Sequence, residues 1–539
     1  MHMKRIITIL LIGIIAFGLH SCSDSFFDRF PSDSMQVETY LTNDAEVENV
    51  LYDVYYQLRS VTQNIIYLND IGTDVAYNRK TNNSMDHINL NESNITETFG
   101  ISSTIWSGCF NIINRSNYVL ESLGNVADEP KRKQFEGEAK FFRAYAYFQL
   151  VRLFGNVPIS TAVIKDYTTL YSFPRQSVDE VYSQIQKDLT DAIAGLPDSY
   201  TVESLKGRAT RIAALTMLGE VYMTRSDFET AKTYLKSVID FANTNPSILG
   251  LETNVEDIYD SRNANGKEII LAAQFNYGST IISNYLMSAS IPNIINPSAQ
   301  PTYAYDDGTT TTIKTSEGTS ILLMTYDLYK KYDPEKDKRF QKLVYNGLYD
   351  AEFTSTTPFA YRTTSNATFL PTTLKYYDHQ NNYNGLSKYA AGTDNIVYRY
   401  ADVLLMYAEC LNETNNTAGA VTYLNLVRNR AGLDATTAAS KEDLSMAIEN
   451  ERLLELCFEG HRWFDLLRIG RLNKIMTDHF NWAEPGLNSV IQSHMNGNDK
   501  IDSKATWKWA NVTYPILFPL PYDQLQLMLD RGWTQNEGY

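Results

Sequence analysis

One pattern of small and large residues occurs twice along this chain, and it constrains the fold more than any other feature. The first copy consists of Leu215, Leu218, Gly219, Tyr222, Ala231 and Leu235. The second consists of Leu404, Tyr407, Ala408, Leu411, Ala420 and Leu424, each 189 positions after its counterpart and of the same size class. Small residues let two paired helices approach each other, and large residues fill the space between them. The pattern therefore predicts two similar helical hairpins.

The rest of the chain is also dominated by helical patterns. The spacing within each copy is that of a tetratricopeptide unit, and the wide separation indicates one interrupted helical scaffold instead of a tandem array. Apolar residues recur at helical spacing around Trp106, after Phe135 and through a final segment, 444–472. Ser177 and Glu180 form a capping box before another helix. We therefore predict a mostly α-helical protein.

The segment between the two copies has a different character. It contains a run of threonines at 309–312, scattered Gly, Asn and Pro, and short β-branched runs such as 269–271. We interpret it as an inserted, irregular and loop-rich subdomain with short strands that pack on the scaffold. The predicted division is an N-terminal helical part at 22–242, the insertion at 243–395, and a C-terminal helical part and tail at 396–539.

The N-terminus has the composition of an export signal. Lys4 and Arg5 precede an apolar run at 6–19, which is too short to span a bilayer as a helix, and Cys22 follows shortly after. This arrangement is similar to the lipobox of bacterial lipoproteins, in which the cysteine is acylated, for example with palmitate, and becomes the first residue. We expect residues 1–21 to be a lipoprotein signal peptide. The alternative is an ordinary secretory signal with a cysteine there by chance.

Charge and cysteine usage exclude several classes of function. The net charge of -16 argues against a nucleic-acid partner, because binding of phosphates needs clustered Lys and Arg. Cys109, Cys410 and Cys457 are widely spaced in apolar helical surroundings, which indicates buried thiols instead of disulfides or metal ligands. No phosphate-binding, dinucleotide-binding, zinc-protease or nucleophile-elbow motif is present in the sequence. We expect no cofactor.

One group of oxygen-bearing residues is a weak candidate for calcium. Asn496, Asn498, Asp499 and Asp502 lie at short spacing. The glycine and the distal glutamate of an EF-hand loop are missing. We interpret the group as a solvated turn, with calcium binding as the alternative.

A second group invites a catalytic interpretation. Glu459, His461 and Asp465 place two carboxylates and an imidazole within seven positions, and glycoside hydrolysis uses two carboxylates. Neighbouring charges alternate in sign at helical spacings, which is typical of an internal ion-pair network. These are Glu451, Arg452, Glu455, Arg462 and Arg468. We favour the network over catalysis and expect no enzymatic activity.

Several longer motifs together point to one family. They are GEAKFFRA at 137–144, LFGNVP at 153–158, GRAT at 207–210, RYADVLLMYAE at 399–409, NLVRNRAGL at 425–433, and ER at 451–452 followed by FEGHRWFDL at 458–466. The chain resembles the RagB/SusD family, surface lipoproteins of Bacteroidetes that capture nutrients for an outer-membrane transporter. The resemblance extends to the C-terminus, where Glu537 stands in place of the family's usual proline.

The resemblance implies a fold, a location and a partner. The fold would have four tetratricopeptide-like helix pairs and a looped subdomain that carries the ligand site. The protein would sit on the outer membrane, facing the cell exterior, as a lid over a SusC-like TonB-dependent transporter. It would bind oligosaccharides and pass them on. The alternatives are the same fold binding peptides or glycopeptides, and a surface glycoside hydrolase.

Sugar binding needs aromatic faces against apolar C–H groups, with amide or guanidinium groups contacting the hydroxyls. Two segments supply such residues. The first is a polar, Asn-rich segment at 69–99, interpreted as a loop, which occupies the place where SusD-like proteins put part of their site. Its candidates are Tyr77, Asn78, Arg79, His87 and Asn91, and the insertion contributes Tyr277, Tyr285, Tyr303 and Tyr305. Trp106 lies on an apolar helical stripe, so we assign it to the core.

Overall fold

A computed structural model gives the arrangement of most of the chain. The residues it describes are 41–78, 84–164, 173–276, 284–291, 302–304, 310–312, 318–345, 348–349, 356–357, 368–369, 371–377, 391–480, 507–510, 512 and 516–539. The signal peptide, Cys22 and the four residues considered for calcium lie outside these ranges.

The described chain is mostly helical, as predicted. Its N-terminal part contains α1 (Asp44–Ile71), α2 (Met85–Asn91), α3 (Gly100–Ser122), α4 (Glu129–Phe154), α5 (Val178–Gly195), α6 (Arg211–Thr224) and α7 (Phe228–Thr244). The middle contains the short helices α8 (Leu286–Ser290), α9 (Tyr326–Tyr329) and α10 (Lys338–Leu343). The C-terminal part contains α11 (Tyr400–Glu413), α12 (Thr417–Arg430), α13 (Lys441–Leu456), α14 (Arg462–Arg468), α15 (Leu472–Phe480) and α16 (Tyr522–Met528).

Four pairs of packed helices form the scaffold: α1 with α3, α4 with α5, α6 with α7, and α11 with α12. Each pair also packs on the next, through α3 with α4, α5 with α6, and α7 with α11. The two copies of the residue pattern therefore lie side by side although the insertion separates them in sequence. This confirms the interrupted tetratricopeptide-like scaffold.

The small and large positions of the pattern act as predicted. A β-carbon at Gly219 would lie 2.7 Å from the side chain of Leu235, so only glycine permits this approach of α6 to α7. A tyrosine pair also packs within each hairpin, at positions that correspond only in part: Tyr222 stacks on Tyr234 at 5.6 Å, and Tyr407 meets Tyr423 edge-on at 4.7 Å between ring centroids. The repeated pattern thus gives two hairpins of the same kind with different aromatic contacts.

The described part of the inserted segment contains short strands, as predicted, and the short helices α8, α9 and α10. The strands of the described chain are β1 (Ala76–Tyr77), β2 (Ile269–Ala273), β3 (Thr302–Ala304), β4 (Thr310–Thr312), β5 (Leu323–Met324), β6 (Val344–Tyr345), β7 (Leu348–Tyr349), β8 (Thr356–Thr357), β9 (Thr368–Phe369), β10 (Thr372–Thr373) and β11 (Asn395–Arg399). Of these, β1 precedes the insertion and β11 begins at its end. All pairings are antiparallel: β1 with β5, β2 with β11, β3 with β4, β6 with β10, and β7 with both β8 and β9. The domain division at 242 and 395 stays a prediction.

The final segment at 444–472 is helical, as predicted, and comprises most of α13, all of α14 and the first residue of α15. The turn between α13 and α14 places Phe458 and Gly460 at φ values of 64° and 78°. One local expectation was wrong. The segment at 69–99 is not one loop, since α1 continues to Ile71 and α2 lies within it. Asn69 and Asp70 are buried, and their side-chain oxygens accept hydrogen bonds from backbone N–H groups of the turn and of α14.

Candidate ligand-binding site

Hydrogen bonds join the two predicted site segments, which are the chain after α1 and the insertion. β1 pairs with β5, and Met324 of β5 donates its N–H to the carbonyl of Pro371 at 3.0 Å. The hydroxyl of the adjacent Thr372 donates to the carbonyl of Ser290 at the end of α8. Tyr285 lies at the start of that helix. The structure therefore brings the two predicted site segments into one hydrogen-bonded cluster.

Tyr285 presents an exposed ring on a fixed backbone. Its side chain is 43% exposed. The preceding Asn284 is fully buried, and its N–H donates to the carbonyl of Ala391 at 2.9 Å. The Asn284 side-chain amide donates to the Thr393 carbonyl at 2.6 Å and to Oδ1 of Asn395 at 2.7 Å. An aromatic face held in this way can stack on a sugar with little loss of conformational freedom.

Three other candidates are buried. Tyr77, Asn78 and Asn91 each expose less than a tenth of their surface. The Asn78 N–H donates to Oδ1 of Asn91 at 3.2 Å, which fixes the chain after β1 against α2. These residues shape the base of the cluster, and their contact with a ligand stays a prediction.

His87 lies in α2, the helix whose Asn91 binds the chain after β1. Its ring meets Tyr67 edge-on at 4.6 Å, and Nδ1 contacts the hydroxyl of Ser84. Among the described residues, Nε2 has no hydrogen-bond partner. Burial lowers the pKa of His87 to about 4, so the imidazole is neutral at pH 7.

Four candidates remain. Arg79, Tyr277 and Tyr305 lie outside the described residues. Tyr303 lies in β3, opposite Thr311 of β4. Ligand contact by these four residues stays a prediction.

The suspected catalytic carboxylates belong to a buried ion-pair network. Arg399 is 1% exposed, and its guanidinium donates to Glu268 at 2.9 Å, to Glu455 at 2.5 Å and to Glu459 at 2.7 Å. Lys375 donates to Glu459 at 2.6 Å. Burial alone would raise the pKa of Glu459, but the charges of Arg399 and Lys375 outweigh it and lower that pKa to about 2. Glu459 therefore stays ionised.

Asp465, the second carboxylate of the motif, is also paired with arginines. Both oxygens of Asp465 accept hydrogen bonds from Arg452 at 2.9 Å, and one also accepts from Arg468 at 2.7 Å. Burial raises the pKa of Asp465, and arginine side chains hold both of its oxygens. The cavity that Glu459 and Asp465 share measures about 40 Å³, far below the ~300 Å³ of a ligand pocket. Of the two carboxylates, Asp465 alone also lines a separate cavity of about 530 Å³. The predicted ion-pair network is confirmed.

Two further expectations concern burial. Cys109, Cys410 and Cys457 are buried free thiols, and Trp106 is buried in the core, as predicted.

Within the described residues, no helix combines the length and the apolar character needed to cross a membrane.

Comparison with known proteins decides the family. A family model described as the SusD family matches residues 267–539, and a second, described as starch-binding associating with outer membrane, matches residues 25–223. The chain belongs to the SusD family. The resemblance found in the motifs is thereby confirmed, and with it carbohydrate binding and outer-membrane association as properties of the family.

Several SusD-like proteins are similar over most of their length. SusD-like protein P2 of Formosa agariphila is 26% identical over 489 residues, covering 86% of this chain and 90% of that protein. A SusD-like protein of Bacteroides ovatus is 25% identical, covering 90% and 87%. A laminarin-binding SusD-like protein of known structure has a TM-score of 0.70 at 24% identity, covering 92% and 100%. Surface glycan-binding protein A from Bacteroides fluxus has a TM-score of 0.69 at 22% identity, covering 92% and 99%.

Sequence reasoning missed the residue that holds Tyr285 in place. The side chain of Asn284 forms hydrogen bonds with partners more than 100 positions away, and these partners cannot be predicted from its neighbouring residues. Its importance follows from tertiary structure alone.

Removing one carboxylate from the network should destabilise the fold strongly. Glu455 accepts hydrogen bonds from Arg339, Arg399 and Arg430, so Glu455→Gln leaves three buried cations undercompensated. We expect a loss of about 3–5 kcal/mol in the free energy of unfolding, measured by denaturant titration. The control is Asp240→Asn, which breaks an exposed pair with Lys236 and should cost at most ~1 kcal/mol. Equal losses in the two variants would contradict the structural role of the network.

His87 should make stability depend on pH. Its pKa is about 4 in the folded chain and rises to its ordinary value of 6.5 on unfolding, so the unfolded state binds the proton more readily. The stabilisation is complete above pH 6.5 and is lost as the pH falls towards 4. In His87→Phe, the slope of unfolding free energy against pH should be shallower across this window, as measured by urea titrations. Identical slopes in both proteins would rule out a buried neutral His87.

Proposed function

We propose that this protein is a cell-surface lipoprotein that binds oligosaccharides and delivers them to a SusC-like TonB-dependent transporter of the outer membrane. Membership of the SusD family supports the carbohydrate ligand, and one similar structure is of a laminarin-binding protein. The observation that carries the proposal is Tyr285, an exposed ring on a backbone fixed by the buried Asn284.

The site would bind sugar mainly by stacking. The face of Tyr285 would cover the apolar C–H groups of a sugar ring. Such contacts give modest affinity, which suits a protein that must release its ligand.

The lipid anchor at Cys22 would hold the protein beside the transporter, where the released glycan can enter. Acyl chains hold a protein on the outer membrane without a spanning helix. Confinement beside the transporter raises the effective concentration of captured glycan at its entrance. The chain would bind without cutting, because Glu459 and Asp465 are occupied by arginine and lysine side chains.

The tyrosine at the site gives a direct test. Tyr285→Ala removes the stacking surface and should weaken glycan binding on the order of tenfold, because a stacking residue of this kind contributes about 1.4 kcal/mol or more. The measurement is isothermal titration with laminarin oligosaccharides, other neutral oligosaccharides and a set of peptides.

Tyr52→Ala is the matched control, since Tyr52 is 49% exposed and lies near the start of α1, at the end of that helix far from β1. It should bind as the unchanged protein does. Binding of peptides but not glycans would redirect the proposal to peptide cargo. Release of sugar products by the unchanged protein would contradict a purely binding role.

The anchor can be tested separately from the ligand site. Cys22→Ala should move the protein from the outer-membrane fraction to a soluble one, because no acyl chains can be attached. Mass spectrometry of the native protein should show an N-terminal Cys22 carrying acyl groups. An unmodified thiol on a freely diffusing protein would contradict the proposed location.

A further inference from the structure

A cavity on the helical scaffold is formed by residues other than those of the Tyr285 cluster. Its volume is about 390 Å³, within the range of ligand pockets. Its walls come from the segment that precedes α6, from the end of α7 and the chain after it, and from the start of β2. None of the predicted ligand-binding residues lines it.

The cavity has an apolar floor and an apolar residue at its mouth. Ile212, Leu249 and Ile270 are buried, and Phe241 is half-buried. Ile248 also lines the cavity, with 46% of its surface exposed to solvent. Apolar surface beside a cavity of this size is typical of a binding site, because free energy is released when a ligand displaces water from that surface.

The accessible charge around the cavity is positive. Asp198 is paired with Arg211, and Arg208 is buried against Glu138 and Glu48. The two other charged residues lining the cavity are Lys206 and Lys267. This positive rim stands out on a chain whose net charge is -16.

Both lysines remain available to a ligand. Lys206 meets Glu203 at 2.8 Å in an exposed pair, which contributes at most ~1 kcal/mol. Lys267 is half-buried and lies 3.9 Å from the carboxylate of Glu252, at the limit of an ion pair. A bound anion can therefore compete for either ammonium group.

The turns that carry the two lysines are joined to each other. Gly207 has a φ of 87°, and any side chain there would collide with the amide of Gln274. That amide donates a hydrogen bond to Oδ1 of Asn265 at 2.9 Å. The turns at 206–208 and 265–267 are therefore held together before any ligand arrives, which lowers the entropy lost on binding.

From these features we infer that the cavity is a second binding site, which takes a sugar ring bearing a carboxylate. The apolar floor would contact the C–H face of the ring, and Lys206 and Lys267 would bind the carboxylate. The choice of a sugar rests on the proposed function, whereas the preference for an acidic ligand rests on the two lysines.

Trigalacturonic acid and the neutral maltotriose are suitable probes, titrated calorimetrically into the full-length protein. The unchanged protein should bind trigalacturonic acid saturably and more weakly as salt is raised. Lys206→Gln with Lys267→Gln should weaken this binding about tenfold or more, and Ser247→Trp, which fills the mouth, should abolish it. Tyr285→Ala should leave it unchanged.

Control variants show whether the loss of binding is specific to the cavity. Ser237→Trp changes an exposed residue of α7 that does not line the cavity, and Lys187→Gln with Lys236→Gln removes two exposed lysines elsewhere. Both should bind trigalacturonic acid normally. If Ser247→Trp does not fold, as judged by circular dichroism, the paired lysine variant still tests the site.

Two outcomes would overturn the inference. One is the absence of saturable binding of trigalacturonic acid to the unchanged protein. The other is loss of that binding in Tyr285→Ala together with normal binding in the paired lysine variant. Neither outcome affects the proposed function, which depends on whether Tyr285→Ala loses the glycans that bind at the first site.

Discussion

The fold depends on neutralising Arg399, a guanidinium with 1% of its surface exposed. Its carboxylate partners come from the residue before β2, from α13 and from the turn after α13. A buried charge without partners would cost several kcal/mol, so these segments must meet wherever the chain is folded. The ion pairs join β2 and β11, which also pair with each other, to α13 and to the turn after it.

The same strand carries this constraint to the ligand site. β11 is five residues long, with Arg399 at one end and Asn395 at the other. Asn395 accepts the hydrogen bond from Asn284, which holds Tyr285. An electrostatic requirement in the core thus determines the position of an aromatic ring at the surface. This arrangement explains how a loop-rich insertion can present a defined site.

Features set by local sequence were predictable, and features set by distant partners were not. The helix pairs and the capping box at Ser177 follow from spacing and local hydrogen bonds, and both are present. The turn at Phe458 was missed because a bulky residue rarely adopts a positive φ. The burial of Asp70 was missed because its partner lies 388 positions away. Tyr285 was identified as a candidate, but its exposure and its support required the structure.

The two inferred sites lie at opposite ends of one strand pair. Ile269 of β2 pairs with Arg399 and lines the lysine-rimmed cavity, whereas Ala273 pairs with Asn395 beneath Tyr285. Four residue steps along a strand span ~13 Å, and the hydrogen bonds of the strand pair fix its two ends relative to each other. The supports of the two inferred sites therefore belong to one rigid element, although the sites themselves are formed by different residues.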